Sequence, residues 1–338
     1  MLTPFSWLYG KIADTRNALY DRGVFVSHSL GARTISVGNI TAGGTGKTPL
    51  VAHVAKILAE RGEKVCILTR GYGRENPSER VLVSDGSNIL ADAKHGGDEP
   101  VELAVKLLGK AVVVADANRA SAANWAKDKF GVTAFVLDDG FQHRRAQRDV
   151  DIVCIDATNP FGNGKMLPAG RLREPLYNLK RADAVVITRS DLAEDISNLK
   201  SQISDLNPLA IVFTAKSEIS RLTPLEEFPG GVESGELFGV QSGIRVGAFC
   251  GLGNPGIFFA QLDGRFNVAF TEQFPDHYSY SQSDVEDLET AARDSGAGIT
   301  LTTAKDAVKL KGLNFSLPCF VVEIETVLED EEAFRAML

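Results

Sequence analysis

From Arg33 onward, short runs of β-branched and apolar residues alternate with stretches of helical periodicity. Residues 34–37, 65–69, 111–115, 132–137 and 151–155 read as strands, and 49–61, 99–108 and 119–130 read as helices between them. Gly62 stops the first of these helices. Strands that alternate with helices predict a parallel sheet covered on both faces. Residues 159–175 interrupt the pattern with Gly, Pro and Asn and show no period, so a domain boundary is expected there or just before it. The alternation then resumes, with strand candidates at 184–188, 211–215, 246–249, 268–271, 299–302 and 320–324, and predicts a second α/β unit. The glycine-rich stretch 230–242 is the expected flexible segment.

Residues 1–32 stand apart. Phe5, Leu8, Tyr9, Ile12 and Leu19 recur at helical spacing with Trp7 beside them, while Lys11, Arg16 and Arg22 fall on other faces. With Arg33, these three bases outnumber Asp14 and Asp21, leaving a local charge of +2 in a chain whose net charge is −8. Two readings fit such an amphipathic helix: it lies in a membrane interface, or it packs on its own domain. No window approaches the roughly 20 apolar residues that span a bilayer, and no signal-peptide core or cleavage site is present.

The acidic balance, with a pI near 5.3, argues against a general nucleic-acid binder, so any anionic ligand must be met by local bases. Cys66, Cys154, Cys250 and Cys319 lie far apart and form no C-x-x-C pair, which argues against a disulfide framework or zinc site and fits a reducing cytoplasm.

The strongest chemical signal is Thr41, Ala42, Gly43, Gly44, Thr45, Gly46, Lys47 and Thr48, which follow a predicted strand and open a predicted helix. That context is what a P-loop requires. Its glycines let backbone N–H groups close around phosphate oxygens, Lys47 reaches the β/γ-phosphates, and the Thr48 hydroxyl is placed to ligate Mg²⁺. Thr41 stands where the strict pattern has its first glycine. The expected fold is therefore α/β, a P-loop NTPase-type parallel-sheet domain over 33–157 with a second α/β domain over 158–338.

The apolar run ending in Asp138 and Asp139 has the form of a Walker B strand, whose carboxylates hold Mg²⁺ beside the P-loop. Gln142 and His143 follow at the ligand-binding edge of the sheet. Asp98, after a glycine pair, reads either as a helix cap or as a base for an attacking hydroxyl. Arg119 reads as a phosphate clamp or a solvated helix start. Arg171, Arg173 and Glu174 cluster in a loop suited to an anionic substrate or a metal. His277 sits in an aromatic turn and reads as structural or catalytic, and Lys305, after a strand, reads as a contact to nucleotide or substrate or as part of a solvated helix face.

Taken in order, the blocks G-N-I-T-A-G-G-T-G-K-T-P, T-R-G-Y-G-R, G-G-D-E-P, D-D-G-F-Q-H, P-A-G-R-L-R-E-P, F-P-D-H-Y and T-T-A-K-D-A-V-K resemble the tetraacyldisaccharide 4'-kinase family, from about Gly38 to Lys309. The resemblance implies transfer of the ATP γ-phosphoryl group to the 4'-hydroxyl of a tetraacylated glucosamine disaccharide 1-phosphate, forming lipid IV-A. It also implies a place at the cytoplasmic face of a Gram-negative inner membrane, with no protein partner. By the same resemblance Lys47 and Thr48 match the P-loop lysine and the Mg²⁺-ligating hydroxyl, and Asp138, Asp139 and Glu174 match acidic positions associated with Mg²⁺-ATP. Asp98 and His277 match the pair thought to activate the sugar hydroxyl, and the N-terminal helix resembles a membrane anchor that here is short of a span.

A P-loop GTPase or a membrane-associated switch ATPase is the rival reading. Thr188-Arg189-Ser190-Asp191 faintly resembles the N/T-K-x-D guanine-reading motif, but Asp138-Asp139-Gly140-Phe141 does not match D-x-x-G.

Overall fold

The computed structural model describes residues 2–228, 244–263 and 265–338, so the glycine-rich stretch 230–242 lies outside the described residues. The chain begins with α1 (Thr3–Asp21), followed by β1 (Arg33–Asn39), α2 (Lys47–Glu60), β2 (Val65–Thr69), β3 (Val81–Ser84), α3 (Ala93–Gly96), α4 (Asp98–Lys106), β4 (Ala111–Ala115), α5 (Arg119–Phe130), β5 (Ala134–Asp138) and β6 (Val150–Asp156). Each sequence-predicted strand of this half is present within one or two residues. The short β3 went unread because it is an antiparallel edge strand, half-buried along half its length.

β2, β4, β5 and β6 are buried throughout, as parallel strands must be when helices cover both faces. Alternate side chains serve opposite layers. Ile67, Val113 and Val136 pack beneath α2 with Leu50, Val54 and Ile57, whereas Leu68, Phe135 and Leu137 face the small Ala122, Ala123 and Ala126 of α5. The Asn118 side chain caps α5 by accepting from the Ser121 backbone N–H, and Gly131, at φ 64°, ends it.

The second half adds β7 (Ala184–Thr188), α6 (Ser197–Leu206), β8 (Ile211–Pro224), β9 (Arg245–Cys250), α7 (Pro255–Asp263), β10 (Asn267–Gln273), α8 (Gln282–Asp294), β11 (Ile299–Thr303), α9 (Ala304–Leu310), β12 (Cys319–Leu328) and α10 (Glu331–Met337). All twelve strands join one sheet, in the order β10-β9-β11-β12-β8-β7-β6-β1-β5-β2-β4-β3. The sheet does not break where the composition changed. β7 pairs in parallel with β6, and β8 pairs with β7 as far as Thr214 before turning, from Ala215, to pair antiparallel with β12. The irregular stretch 159–175 lies in the connection between β6 and β7, which pair as neighbours in the sheet.

α1 is not a separate unit. Its polar side is tied to the body by Asn17 Nδ2, which donates to Glu174 Oε2 at 2.7 Å, and by Arg144, which donates to the Asn17 carbonyl and pairs with Asp21. Phe5, Trp7, Leu8 and Ile12 remain exposed on its other side.

Candidate active site

The site begins where β1 hands over to α2. Gly46, at φ 76°, is the N-cap of α2, a left-handed conformation that costs a glycine little. Asn39 Nδ2 donates to Thr45 Oγ1 at 3.0 Å, Thr188 Oγ1 donates to the Thr45 carbonyl at 2.8 Å, and the Ala42 N–H donates to the Arg171 carbonyl at 2.7 Å. Three separate segments thus hold the loop around the helix N-terminus, where N–H groups are free for an anion. Gly38 is needed just upstream, because a Cβ there would overlap the Phe141 backbone.

A cleft of about 1030 Å³ opens in front of this loop, between Thr48, Arg119 and Asp139 on one side and Leu252, Phe258 and His277 on the other. Asp139 directly follows β5 with φ 53°; it accepts from Arg173 Nη1 at 2.6 and 2.7 Å and lies 3.6 Å from Lys47 Nζ. Burial disfavours its charge, but Lys47 and Arg173 outweigh that and hold its carboxyl below the usual range. Asp138 is fully enclosed, accepts from Thr69 Oγ1 at 2.8 Å, and is pushed up by burial and by Asp139. Thr48 and these carboxylates are hard oxygen donors of the kind Mg²⁺ prefers, and they flank the phosphate-binding amides. These residues fit the ion.

Across the cleft, His277 Nδ1 lies 2.7 Å from Asp98 Oδ2. Asp98 does begin α4, but its carboxylate faces charge as well as backbone: Lys305 Nζ lies 3.8 Å away and Lys309 Nζ 4.0 Å away. Burial opposes ionisation of Asp98, yet the His277 bond and the two ammonium groups hold it below its ordinary pKa. That same bond raises His277. Lys305 also reaches Asp276 at 2.8 Å and Glu99 at 3.9 Å, and burial together with Asp138 pushes the Glu99 carboxyl up to about 7.

Three non-glycine residues have positive φ among the described residues, namely Asp139, Arg189 and His277, and all three line the cleft. Left-handed backbone is strained for such residues and persists where the surroundings enforce it, commonly at functional sites.

The structure sorts the remaining expectations. Arg119 lines the cleft, with its guanidinium on the Asp116 and Ala117 carbonyls, and Gln142 lines it while donating to the Asn39 carbonyl at 2.9 Å. His143 is there too, pushed down to about 4 by burial and by Arg119, Arg148, Arg16 and Arg145. The Arg171 guanidinium packs against Gly43 of the P-loop, where a Cβ would collide with it, and Arg173 is the arginine of that loop that lines the cleft. Glu174 is not among the residues that line the cleft. Its oxygens are taken by Arg181 at 2.8 and 3.1 Å and by Asn17, under α1. Arg16, Tyr72, Arg70 and Arg144 line the cleft without having been singled out. Tyr72 and Arg70 belong to the quoted T-R-G-Y-G-R block, whereas the place of Arg16 depends on how α1 docks.

The model of the family described as Tetraacyldisaccharide-1-P 4'-kinase (LpxK) matches residues 1–338. The chain belongs to this 4'-kinase family. It is 39% identical over 336 residues to the tetraacyldisaccharide 4'-kinase of Halothermothrix orenii, covering 95% of this chain and 87% of the relative. It is 40% identical over 311 residues to that of Geobacter metallireducens, covering 92% and 88%. The crystal structure of LpxK from Aquifex aeolicus in complex with ATP superposes with a TM-score of 0.79 at 34% identity, over 99% of this chain and 96% of that one. The fold of this 4'-kinase family member is thus the family's own, over its full length.

Proposed function

We propose that this chain transfers the γ-phosphoryl group of ATP to the 4'-hydroxyl of a tetraacylated glucosamine disaccharide 1-phosphate, with Asp98 and His277 taking the hydroxyl proton. The observation that carries this reading is the Asp98–His277 hydrogen bond, formed by residues of both halves and facing the P-loop across one cleft. Membership of the 4'-kinase family supports the substrate class.

In this reading the acceptor oxygen bonds to the γ-phosphorus as the bridging oxygen to the β-phosphate departs with ADP, and the hydroxyl proton passes to the Asp98–His277 pair. Phosphoryl transfer asks for positioning and charge stabilisation rather than covalent help. Lys47, Arg119 and Arg173 supply fixed positive charge around the transferring group, and the P-loop amides hold the departing phosphates. Thr48, Asp138 and Asp139 would hold Mg²⁺, which neutralises phosphate charge when bound. The Glu174 carboxylate, engaged by Arg181 and Asn17, is left out of this set.

The same proposal places the enzyme on a membrane surface, at the cytoplasmic face of the inner membrane. Phe5, Trp7, Leu8 and Ile12 of α1, with Val24, Phe25 and Val26 beyond it, are exposed apolar side chains, and Tyr9 and Arg16 of the same helix line the cleft. No helix of the described residues is long and apolar enough to cross a bilayer. Transfer of labelled phosphate from ATP to the disaccharide 1-phosphate in detergent tests the reaction; a folded protein that labels no such acceptor would overturn it.

A further inference from the structure

α9 brings two lysines to Asp98, and they are placed differently. Lys305 lines the cleft and is shared among Asp276, Asp98 and Glu99. Lys309, one helical turn further on, is not among the residues that line it. Its side chain is 9% exposed, and its ammonium lies 4.0 Å from Asp98 Oδ2, the same oxygen that His277 Nδ1 approaches at 2.7 Å.

The surroundings hold Lys309 there as a charge. Asp306 Oδ1, in a side chain with no exposure, lies 3.0 Å from Nζ, and Nζ sits over the Tyr280 ring at 5.5 Å. Asp306 is itself fixed, because its Oδ2 accepts from the Gly251 N–H at 3.0 Å and from Thr303 Oγ1 at 2.7 Å. A Cβ at Gly251 would come within 3.0 Å of Asp306 Oδ1, so this close approach needs a glycine. Among the described residues neither Lys309 Nζ nor Asp306 Oδ1 makes a hydrogen bond, although both are buried. Burying an ammonium in this way costs free energy that an apolar side chain of the same length would avoid, so its position calls for a use.

Asp98 supplies that use. It is buried, and a buried carboxylate stays ionised only where cations face it. The charged groups around the Asp98–His277 pair are Lys305, Asp306 and Lys309 from α9, Asp276 beside His277, and Glu99 from α4, with Asp138 and Lys47 beyond Glu99. Of the two cations nearest Asp98, Lys309 is the one that a phosphate in the cleft does not reach.

We propose that Lys309 is a positioning residue for phosphoryl transfer: braced by Asp306, its ammonium keeps the Asp98 carboxylate anionic and turned toward His277 whatever charge occupies the cleft. This rests on reading the Asp98–His277 pair as the proton acceptor. Lys309 touches neither substrate nor phosphate and acts only through Asp98. Its positive charge opposes protonation of the pair, so it sets the pH above which the pair is free to take the hydroxyl proton.

The test measures kcat against pH for the full chain in detergent, at saturating ATP and disaccharide 1-phosphate. Lys309→Met removes the charge and nearly keeps the length. Its acid limb is expected to move up by about one pH unit, the low end of what one neighbouring charge causes, because Asp306 offsets part of the field. Turnover on that limb then falls roughly tenfold, the equivalent of one unit, and recovers as the pH is raised, with KM for ATP unchanged. Removing one partner of a buried ion pair can prevent folding, so Lys309→Met combined with Asp306→Asn is the second variant, and its limb should move the same way by less. A limb that stays in place in the folded variants, whether or not kcat falls at every pH, would reduce Lys309 to a structural contact and overturn the proposal. A limb that His277→Gln also leaves in place would instead remove the Asp98–His277 pair from the reaction, and the role of Lys309 with it.

Discussion

His277 and Asp98 are 179 positions apart, come from the two halves of the chain, and are joined at 2.7 Å beside the cleft that His277 lines. The contact needs the positive φ of His277 and the start of α4, so it exists only when both halves are in place. Asp98→Ala and His277→Ala are each expected to lower kcat roughly 10²–10⁴-fold, the usual range for general base catalysis. The double variant is expected to fall little below the worse single one, because a pair acting as a unit is not additive. Turnover at saturating ATP and lipid decides this, and fully multiplicative losses would show two independent residues.

The charges of this pair fix a pH dependence. The Asp98 bond raises His277 above its ordinary 6.5, while His277, Lys305 and Lys309 outweigh burial and hold Asp98 below 3.8. Below the raised pKa of His277 the titrating proton of the pair therefore sits on the imidazole. The pair accepts another only after losing that one, so kcat should rise with pH through an apparent pKa above 6.5. Whatever stability this raised histidine contributes is fully present below its unfolded pKa and is lost as pH rises through the folded one. His277→Gln should move the acid limb toward the carboxylate range. A limb that stays in place would assign it to another group.

Lys47 lies 3.6 Å from Asp139, close enough for one γ-phosphate to engage the ammonium and a carboxylate-bound Mg²⁺ together. Lys47→Ala is expected to cost two or more orders of magnitude in turnover, of the size seen when a single preorganised charge-stabilising donor is removed. Near-normal turnover in a folded variant would exclude the P-loop from the reaction.

Glu174 and Arg181 form a pair whose side chains are only 4% and 13% exposed. Glu174→Ala strands the Arg181 charge, and breaking a buried pair in this way costs about 3–5 kcal/mol. A lowered unfolding midpoint is expected, with the Mg²⁺ concentration needed for half-maximal activity unchanged in the folded fraction. A raised Mg²⁺ requirement would return Glu174 to the metal site.

Deleting α1 would remove Arg16 and Asn17 from their contacts as well as the apolar patch, so it cannot isolate membrane affinity. Replacing Phe5, Trp7, Leu8 and Ile12 with Ser leaves those contacts intact. Sedimentation with anionic liposomes should then drop, since interfacial binding scales with buried apolar area. Undiminished sedimentation would mean that this face is not the anchor.

Local chemistry was legible in the chain itself. Continuous apolar runs such as Ala111–Ala115 read as strands covered on both faces, and Gly43 to Thr48 between strand and helix reads as a phosphate loop; both follow from periodicity and backbone sterics over a few residues. The order of the motif blocks also carried the family. Tertiary structure decided what depends on long-range pairing. That β7 and the start of β8 extend the first sheet was hidden, because strand order leaves no mark in local composition. So was the split of Arg173 from Glu174, and of Arg173 from Arg171, since a charge cluster does not say which side each member faces. Asp98 read equally well as a helix cap until His277, Lys305 and Lys309 arrived from the other half to set its charge. A carboxylate's role depends on the field of its neighbours, and here those neighbours come from the far end of the chain.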